Sequence, residues 1–245
     1  IDIVRSLMNR YRNIRLYVTK KFHHSISRNF GAKLSKGDVL VFLNADAKPV
    51  NREWLINLVR PLVDGYAASF SRQLPPPNIV SIEAVLALVG FPDFCITITD
   101  KNYDKFFSIW GTFFSSVSCA INRDVFFSVG GFERRMMVNE DHEFALRLIK
   151  MGYKIRYTRD SVVYHAHNSD INELFRRYFK FGRGWKQICR LHKDFKQRYS
   201  FKIFMRVKDM IKKMTKGKPD EVKLKLRLLS EGFVAFTAAI LGRFL

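Results

Sequence analysis

One apolar run that ends in amide and carboxylate side chains restricts the fold of this chain more than any other stretch. Residues 38–43, Asp-Val-Leu-Val-Phe-Leu, predict a strand buried on both faces of a parallel sheet, because the apolar residues do not alternate with polar ones. Residues 51–62 then predict a helix that Asn51 caps. Its inward side chains would be Trp54, Leu55, Leu58, Val59 and Leu62. Strands that alternate with helices are typical of an α/β fold.

The strand is followed by Asn44-Ala45-Asp46. Ligands of α/β sheets bind beyond the carboxyl ends of the strands, so we expect Asn44 and Asp46 to lie at a ligand site. An Asp with a second polar oxygen two residues before it suits a hard divalent cation that bridges substrate phosphates. The alternative is that these residues form an Asx turn ahead of Pro49.

A second acidic group opens the helix predicted at Val138–Gly152. Glu140, Asp141 and Glu143 lie in its first turn, where the positive end of the helix dipole favours carboxylates. One interpretation is that they only cap the helix and support its dipole. The other is that a carboxylate on this helix faces the first site and serves as general base for an acceptor hydroxyl.

A histidine pair, His165 and His167, follows the last predicted strand. A His at this position is a candidate metal ligand or phosphate contact. The alternative is a structural pair at a strand end. As a zinc site, His-x-His alone is weak, because no third soft ligand is nearby in sequence.

The other patterns predict a mixed order of helices and strands. Helices are expected at Ile1–Arg12, His24–Leu34, Ile79–Val89 and Arg123–Val129, and strands at Ile14–Val18, Tyr66–Phe70, Thr112–Ile121, Tyr153–Tyr157 and Ser161–His165. Gly130-Gly131-Phe132 predicts a turn. The weakly patterned, aromatic stretch Phe91–Phe107 is interpreted as an excursion that faces the substrate.

Composition divides the chain into residues 1–170 and a basic helical region, 171–245. The formal net charge is +21, and residues 176–227 hold 19 Lys/Arg against 4 Asp/Glu. This charge suits an anionic partner such as phospholipid, a phosphorylated substrate or nucleic acid. Three scattered cysteines without a CxxC motif exclude a cysteine zinc site and favour a reducing compartment. No apolar run reaches the length of a membrane span.

Two segments of the basic region have distinct patterns. Glu173–Leu191 is basic and aromatic and is expected to be broken at Phe181-Gly182-Arg183-Gly184-Trp185. Phe201–Met214 predicts a basic amphipathic helix. Its apolar face either lies in a membrane interface or packs on the domain, and the sequence favours neither.

In combination and in order, the local motifs resemble those of family-2 glycosyltransferases with the GT-A fold, over about residues 1–190. The matching stretches are Ser25–Ala32, Lys36-Gly37-Asp38, Phe42–Asp46 with Pro49 and Trp54-Leu55, Asn122-Arg123-Asp124, Val129–Phe132, Asn139–Glu143 with Leu146-Arg147, Gly152-Tyr153 and Val163-Tyr164-His165. The implied fold is a Rossmann-like mixed sheet flanked by helices, with a basic helical C-terminal extension.

The resemblance implies inverting transfer from a nucleotide-diphosphate sugar to a glycan or lipid-linked acceptor, assisted by Mn²⁺ or Mg²⁺. Asp46 matches the metal-binding second acid of the family's DxD motif, and Asn44 stands at its first position, a variant expected in rhamnosyltransferase-like members. Asp141, beside Glu140, matches the acid that deprotonates the acceptor. His165 matches a His near the metal and diphosphate. The candidates for neutralising the leaving diphosphate are Arg176, Arg177 and Arg183.

One departure from the family concerns the N-terminal side. The family begins with an apolar strand, a turn and an Asp that grips the nucleobase, and nothing similar precedes Ile1. The resemblance therefore implies that about half of the nucleotide site is absent, so we expect this chain to bind donor poorly or not at all.

Two functions follow from these observations. The first is a glycosyltransferase at the cytoplasmic side of a membrane, held near anionic lipid by its basic C-terminus. The second is a basic module that binds nucleic acid or a membrane surface without catalysis, with stacking residues around Tyr178–Trp185. Against nucleic acid, no nucleic-acid-binding fold is recognised and the charge lies outside the predicted sheet.

Overall fold

The architecture is a computed structural model that describes residues 1–106, 114–167, 169–195 and 201–244, with backbone only for 201–204. The part of the aromatic excursion and of the predicted strand Thr112–Ile121 that falls in 107–113 lies outside the described residues. The helices are α1 Asp2–Arg10, α2 His24–Leu34, α3 Trp54–Val63, α4 Ile82–Gly90, α5 Arg123–Ser128, α6 Glu140–Lys150, α7 Ile171–Leu191, α8 Phe201–Thr215 and α9 Glu221–Phe244. The strands are β1 Val39–Leu43, β2 Lys48–Pro49, β3 Ala68–Leu74, β4 Ile96–Ile98, β5 Ser118–Asn122 and β6 Ile155–Tyr164, and Tyr103–Lys105 is a 3₁₀ turn.

The strands form one mixed sheet in the order β1-β5-β3-β6-β2, and β4 also pairs with β6. β3 and β6 are parallel, whereas β5 runs antiparallel to both β1 and β3. The end of β1 is therefore level with the start of β5, and the ends of β3 and β6 are paired with each other. This mixed sheet with flanking helices confirms the predicted α/β class.

The first strand is not the buried parallel strand that its apolar run predicted. β1 pairs only with β5, antiparallel, and forms the edge of the described sheet. Val41 and Leu43 are 38% and 42% exposed. The continuous apolar run wrongly predicted burial on both faces. Leu40 and Phe42 face the core, whereas Val41 and Leu43 on the opposite face of this edge strand are exposed.

Three other elements also differ from the sequence expectations. No strand forms at Ile14–Val18. The helix predicted after Asn51 begins at Trp54 without a side-chain cap, and Leu55 on it is exposed. The two strands expected at Tyr153–Tyr157 and Ser161–His165 are one strand, β6, which tolerates the polar middle by a register shift against β3.

The main core lies between the sheet and the helices that carry the acidic residues. Phe126, Phe132 and Phe144 pack edge-on or tilted against one another with ring centroids 5.1–5.4 Å apart. All three rings are almost fully buried. Because Phe144 belongs to α6, this aromatic packing fixes the helix whose first turn holds Glu140 and Asp141.

The C-terminal helices pack on the domain through a second apolar cluster. Ile211 of α8 is buried in that cluster together with Ile82 and Val85 of α4, and Val207 packs against them. The inward face of α8 therefore packs on the protein. In the described part of the chain, no helix is both long enough and apolar enough to cross a membrane.

The predicted break at residues 181–185 is wrong, because α7 is one helix of 21 residues. Its glycine instead allows α9 to approach closely. A Cβ atom at Gly182 would lie 2.1 Å from the Ala239 carbonyl oxygen, and one at Gly242 would lie 2.0 Å from the Phe179 carbonyl oxygen. Each of the two glycines faces the backbone of the opposite helix where α7 and α9 cross.

We expect Gly182→Ala to lower the free energy of unfolding by about 1–3 kcal/mol or more, because its methyl group forces α7 and α9 apart. Gly31→Ala is the matched control, since Gly31 lies within α2 and has no atom within 4 Å of an added Cβ. It should raise stability by up to about 1 kcal/mol through helix propensity. Urea denaturation measures both, and equal stability of the two variants would contradict the close helix crossing.

Candidate functional site

The three polar groups predicted from the sequence line one cleft of about 730 Å³. The cleft opens at the sheet edge where β1, β3 and β6 end and β5 begins. The predicted site residues that line it are Asn44, Asp46, Glu140, Asp141, His165, Arg176 and Arg177. Arg183 is exposed on α7 and is not among the lining residues.

Asp141 is held by four hydrogen bonds from two residues. Its Oδ2 accepts from the backbone N–H of Ser116 at 2.9 Å and from the Ser116 hydroxyl at 3.2 Å. Its Oδ1 accepts from the backbone N–H of His142 and contacts His142 Nδ1, both at 2.9 Å. Burial acts to raise the pKa of Asp141, but His142, the Ser116 N–H and Arg28 outweigh it and hold the pKa below its usual range. Asp141 is therefore ionised at neutral pH.

Glu140, the neighbouring carboxylate, has the opposite electrostatic balance. Its side chain is 6% exposed and forms an ion pair with Arg28. Burial and then the charge of Asp141 raise the pKa of Glu140 to about 7, although Arg28 opposes the shift. Two adjacent acids in one helix turn thus differ in how readily they lose a proton.

Arg28 links the two acidic regions of the cleft. One of its guanidinium nitrogens donates to Glu140, and Nη2 donates to Asn44 Oδ1 at 2.7 Å. The side chain is 14% exposed. This arginine on α2 therefore fixes the end of β1 relative to the start of α6. It also hydrogen-bonds to the side-chain oxygen of Asn44, which we expected to contact a ligand.

A compact cluster of possible metal ligands lines the same cleft. Ligand atoms of Asp46, His165 and His167 all lie within 4.8 Å of one another. His165 Nδ1 lies 2.9 Å from Gln73 Oε1, and Gln73 Nε2 donates to Ser115 Oγ at 2.7 Å. This chain of bonds places the ring proton on Nδ1. It leaves the Nε2 lone pair towards Asp46, whose Oδ1 is 3.7 Å away.

The protonation of His165 is compatible with metal binding. Burial lowers the pKa of His165, and the nearby Asp46 opposes that shift only in part. A neutral imidazole is the form that binds a metal ion. Two imidazoles and a carboxylate in this arrangement fit a divalent cation with several open positions.

The cations predicted to face a diphosphate are not equivalent. Arg177 is paired with Glu83, a buried acid of α4, so its charge is largely compensated. Arg176 and Lys180 are exposed one turn apart on α7 and line the cleft. Arg176 and Lys180 therefore present exposed positive charge to the cleft, whereas Arg177 shares its charge with Glu83.

The start of α6 is held from behind by α7. Asn139, immediately before the acidic pair, has a left-handed backbone (φ 60°), and its amide donates to the Phe181 carbonyl at 3.1 Å. A Cβ at Gly184 would lie 2.9 Å from Asn139 Nδ2 and from Val138 Cγ2. The absence of a side chain at Gly184 lets α7 approach the start of α6 this closely.

The sequence did not indicate several residues that shape the site. Arg28, Gln73 and Ser116 contact candidate site residues through bonds that span 16 to 112 positions in sequence. Arg28 lies within a motif that the resemblance quoted, but no role was assigned to it. The signal that could have identified it is the presence of two acidic sites whose negative charge, once buried, requires a cation beside it.

Comparison with known proteins agrees with the sequence motifs. The family model described as Glycosyl transferase family 2 matches residues 1–128, and that of Glycosyl transferase family group 2 matches residues 94–237. The O-antigen chain rhamnosyltransferase RfbN of Salmonella typhimurium is 32% identical over 67% of this chain and 52% of its own length. The O-antigen chain rhamnosyltransferase WbaN of Salmonella anatum is 33% identical over 74% of this chain and 58% of its own. The chain thus spans somewhat more than half the length of these relatives.

A solved structure with a similar fold is a mannosyltransferase from Pyrobaculum calidifontis, in complex with GDP-Man and Mn²⁺. It superimposes with a TM-score of 0.60 at 15% identity, over 99% of this chain and 73% of its own. This likeness concerns the fold alone, and it confirms the GT-A fold that the sequence predicted.

We expect Arg28→Ala to destabilise the protein by about 1–1.5 kcal/mol more at pH 8 than at pH 5, because it leaves the buried Glu140 side chain either ionised without a partner or protonated. The pKa of Glu140, about 7 in the folded protein, lies above the value of about 4.3 for an unfolded chain. Ionised Glu140 therefore costs stability as the pH rises through this window. The loss should be smaller at pH 5, where Glu140 is protonated.

Urea denaturation at both pH values measures the effect of Arg28→Ala. Arg5→Ala is the control, because Arg5 pairs with Asp2 on the exposed surface of α1. It should cost less than about 1 kcal/mol at either pH. A loss for Arg28→Ala that is independent of pH would show that Glu140 does not depend on this guanidinium.

Proposed function

The chain belongs to glycosyl transferase family 2, and on this premise we propose that it transfers a sugar from a nucleotide-diphosphate donor to a hydroxyl of a glycan or lipid-linked acceptor. The observation that carries the proposal is the meeting of Asp46, Asp141 and His165 in one cleft. An ionised carboxylate and a candidate cation site then face the same space, as group transfer from a diphosphate requires.

We propose Asp141 as the general base of an inverting transfer. As the acceptor oxygen forms its bond to the anomeric carbon, the bond from that carbon to the diphosphate oxygen breaks and the hydroxyl proton passes to Asp141. The Ser116 hydroxyl contact, at 3.2 Å, is the longest of the four hydrogen bonds to Asp141. Because a hydroxyl rotates freely, the Ser116 O–H can turn away from Asp141. One lone pair of Asp141 Oδ2 is then free for the acceptor hydroxyl.

The residues proposed to hold Mn²⁺ or Mg²⁺ are Asp46, His165 and His167. When bound, the cation offsets negative charge on the departing diphosphate. Imidazole ligands favour Mn²⁺ over the harder Mg²⁺, and the Pyrobaculum calidifontis mannosyltransferase was solved with Mn²⁺. Arg176 and Lys180, which line the same cleft, are proposed to contact the same phosphates.

The sugar we propose is rhamnose, transferred in the synthesis of an O-antigen-like polysaccharide. The support is the naming of two relatives, each above 30% identity, as O-antigen chain rhamnosyltransferases. Both names refer to the O-antigen chain, which is a glycan. An open cleft with exposed cations on one wall suits such a substrate better than a closed pocket would.

Asp141→Asn should reduce turnover by roughly 10²–10⁴-fold, because the amide cannot accept the hydroxyl proton. Donor binding should change little, since Asp141 contacts Ser116 and His142 rather than the proposed metal ligands. Steady-state assays with a panel of nucleotide sugars measure this effect. Asp124→Asn, an exposed acid in the first turn of α5, is the control and should retain wild-type turnover. Wild-type turnover in Asp141→Asn would remove this residue from the role of base.

Asp46→Ala should abolish the metal-dependent part of nucleotide binding. If Mn²⁺ with one of UDP, GDP or dTDP raises the melting temperature of the wild-type protein, Asp46→Ala should remove that rise. Asp46 is half-exposed, so the variant should fold normally. The control is Asp64→Ala, an exposed acid at the end of α3. A metal-dependent rise that survives in Asp46→Ala would contradict the proposed site.

A further inference from the structure

Helix α9 presents a second apolar face that the described core does not use. The helix has 24 residues and is therefore about 36 Å long. One face carries small and apolar residues that pack on the domain: Leu228, Ala235, Ala238, Ala239 and Gly242. These small side chains allow the close crossing with α7, so this face is fully used by the fold.

The opposite face carries large apolar side chains in contact with solvent. Val222, Leu226 and Phe233 are 71%, 63% and 70% exposed, and Phe244 is 71% exposed. Leu229 lies on the same face. Counted from Val222, the spacings are 4, 7, 11 and 22 positions to Leu226, Leu229, Phe233 and Phe244. At 3.6 residues per turn they lie within about 60° of one another around the helix axis. We call these five residues the outer stripe.

The charges beside the outer stripe are mainly positive. Lys223 and Lys225 lie on the first turns of α9, and the exposed Lys216 and Lys218 precede the helix. Of the nearby acids, Asp220 is exposed immediately before the helix, and Glu221 accepts a hydrogen bond from the Gly217 N–H. On α9, Glu231 lies on the inward side, where it accepts from the Ile82 N–H and pairs with Arg227. No carboxylate of the described α9 lies within the outer stripe.

We propose that the outer stripe of α9 docks in the surface of an anionic phospholipid bilayer. Large apolar side chains along one side of a helix, flanked by lysines, enter the boundary between headgroups and acyl chains while the lysines contact anionic headgroups. This assignment replaces α8, whose apolar face packs on α4. A second copy of the chain is a poorer occupant, because two such stripes would bring lysines together without carboxylates to pair them.

The position of α9 connects this surface to the cleft. Ala239 on the inward face of α9 lines the cleft together with Tyr178 and Lys180 of α7. A bilayer bound to the outer face of α9 would therefore lie one helix diameter from the cleft, about 10 Å away. This last point rests on the proposed function, because it places the cleft beside the headgroups of a lipid-linked acceptor. The docking surface itself does not depend on sugar transfer.

Vesicle flotation tests the proposal. The probes are vesicles of phosphatidylcholine alone and vesicles of phosphatidylcholine with phosphatidylglycerol, roughly 2:1, at low and at physiological salt. The wild-type chain should float with the anionic vesicles and bind more weakly as salt rises. Phe233→Glu should reduce the partition coefficient by roughly tenfold or more. The change removes a ring that would enter the bilayer and adds a negative charge that anionic headgroups repel. The joint variant Lys223→Gln with Lys225→Gln should weaken only binding to anionic vesicles.

Val63→Glu is the matched control, since Val63 is an apolar residue 84% exposed at the end of α3. It should bind vesicles as the wild type does, and circular dichroism should show that both glutamate variants are folded. Equal partitioning of Phe233→Glu and Val63→Glu, or no flotation of the wild-type chain, would overturn the proposal. So would a dimer by light scattering that Phe233→Glu converts to a monomer without a change in vesicle binding. Each readout is independent of turnover, so failure here is separable from failure of the proposed transferase activity.

Discussion

The guanidinium of Arg28 compensates the negative charge of carboxylates that the fold brings together in the cleft. Two carboxylates, Glu140 and Asp141, stand next to each other at the buried start of α6, where repulsion and lost hydration both oppose ionisation. The protein divides the compensation between different partners. Arg28 pairs with Glu140, whereas Ser116 and His142 stabilise the ionised Asp141. The result is one carboxylate whose proton affinity is raised and one that remains charged, within a single helical turn.

The same helix start depends on residues more than forty positions later in the chain. The Asn139 side chain bonds to the Phe181 carbonyl, and Gly184 leaves room for that side chain beside α7. The helix α7 is in turn held by its close crossing with α9 at Gly182 and Gly242. The basic C-terminal region therefore supports the geometry of the cleft as well as carrying charge.

Local motifs in the sequence predicted the site better than they predicted the sheet. The runs around Asp46, Asp141 and His165 each identified a group that lines the cleft, because each motif is contained within a few residues. The edge position of β1 and the continuity of α7 were not predictable in this way. They depend on β5 and on α9, which lie far away in sequence and leave no periodic trace in the segments that they contact. Arg28 was missed for the same reason, since its bonds reach Glu140 across 112 positions.

Two of the outer strands of the described sheet, β1 and β2, differ in how they are protected from pairing with other chains. β2 is two residues long and consists of Lys48 and Pro49, a charge and a residue without an amide proton, both of which discourage further strand pairing. β1 has five apolar residues, including the exposed Val41 and Leu43, and lacks these features. Within the described residues its outer backbone edge is a template onto which another extended segment can hydrogen-bond. Of these two strands, β1 is therefore the one at which pairing with a further strand is less opposed, on the side of the sheet away from β2.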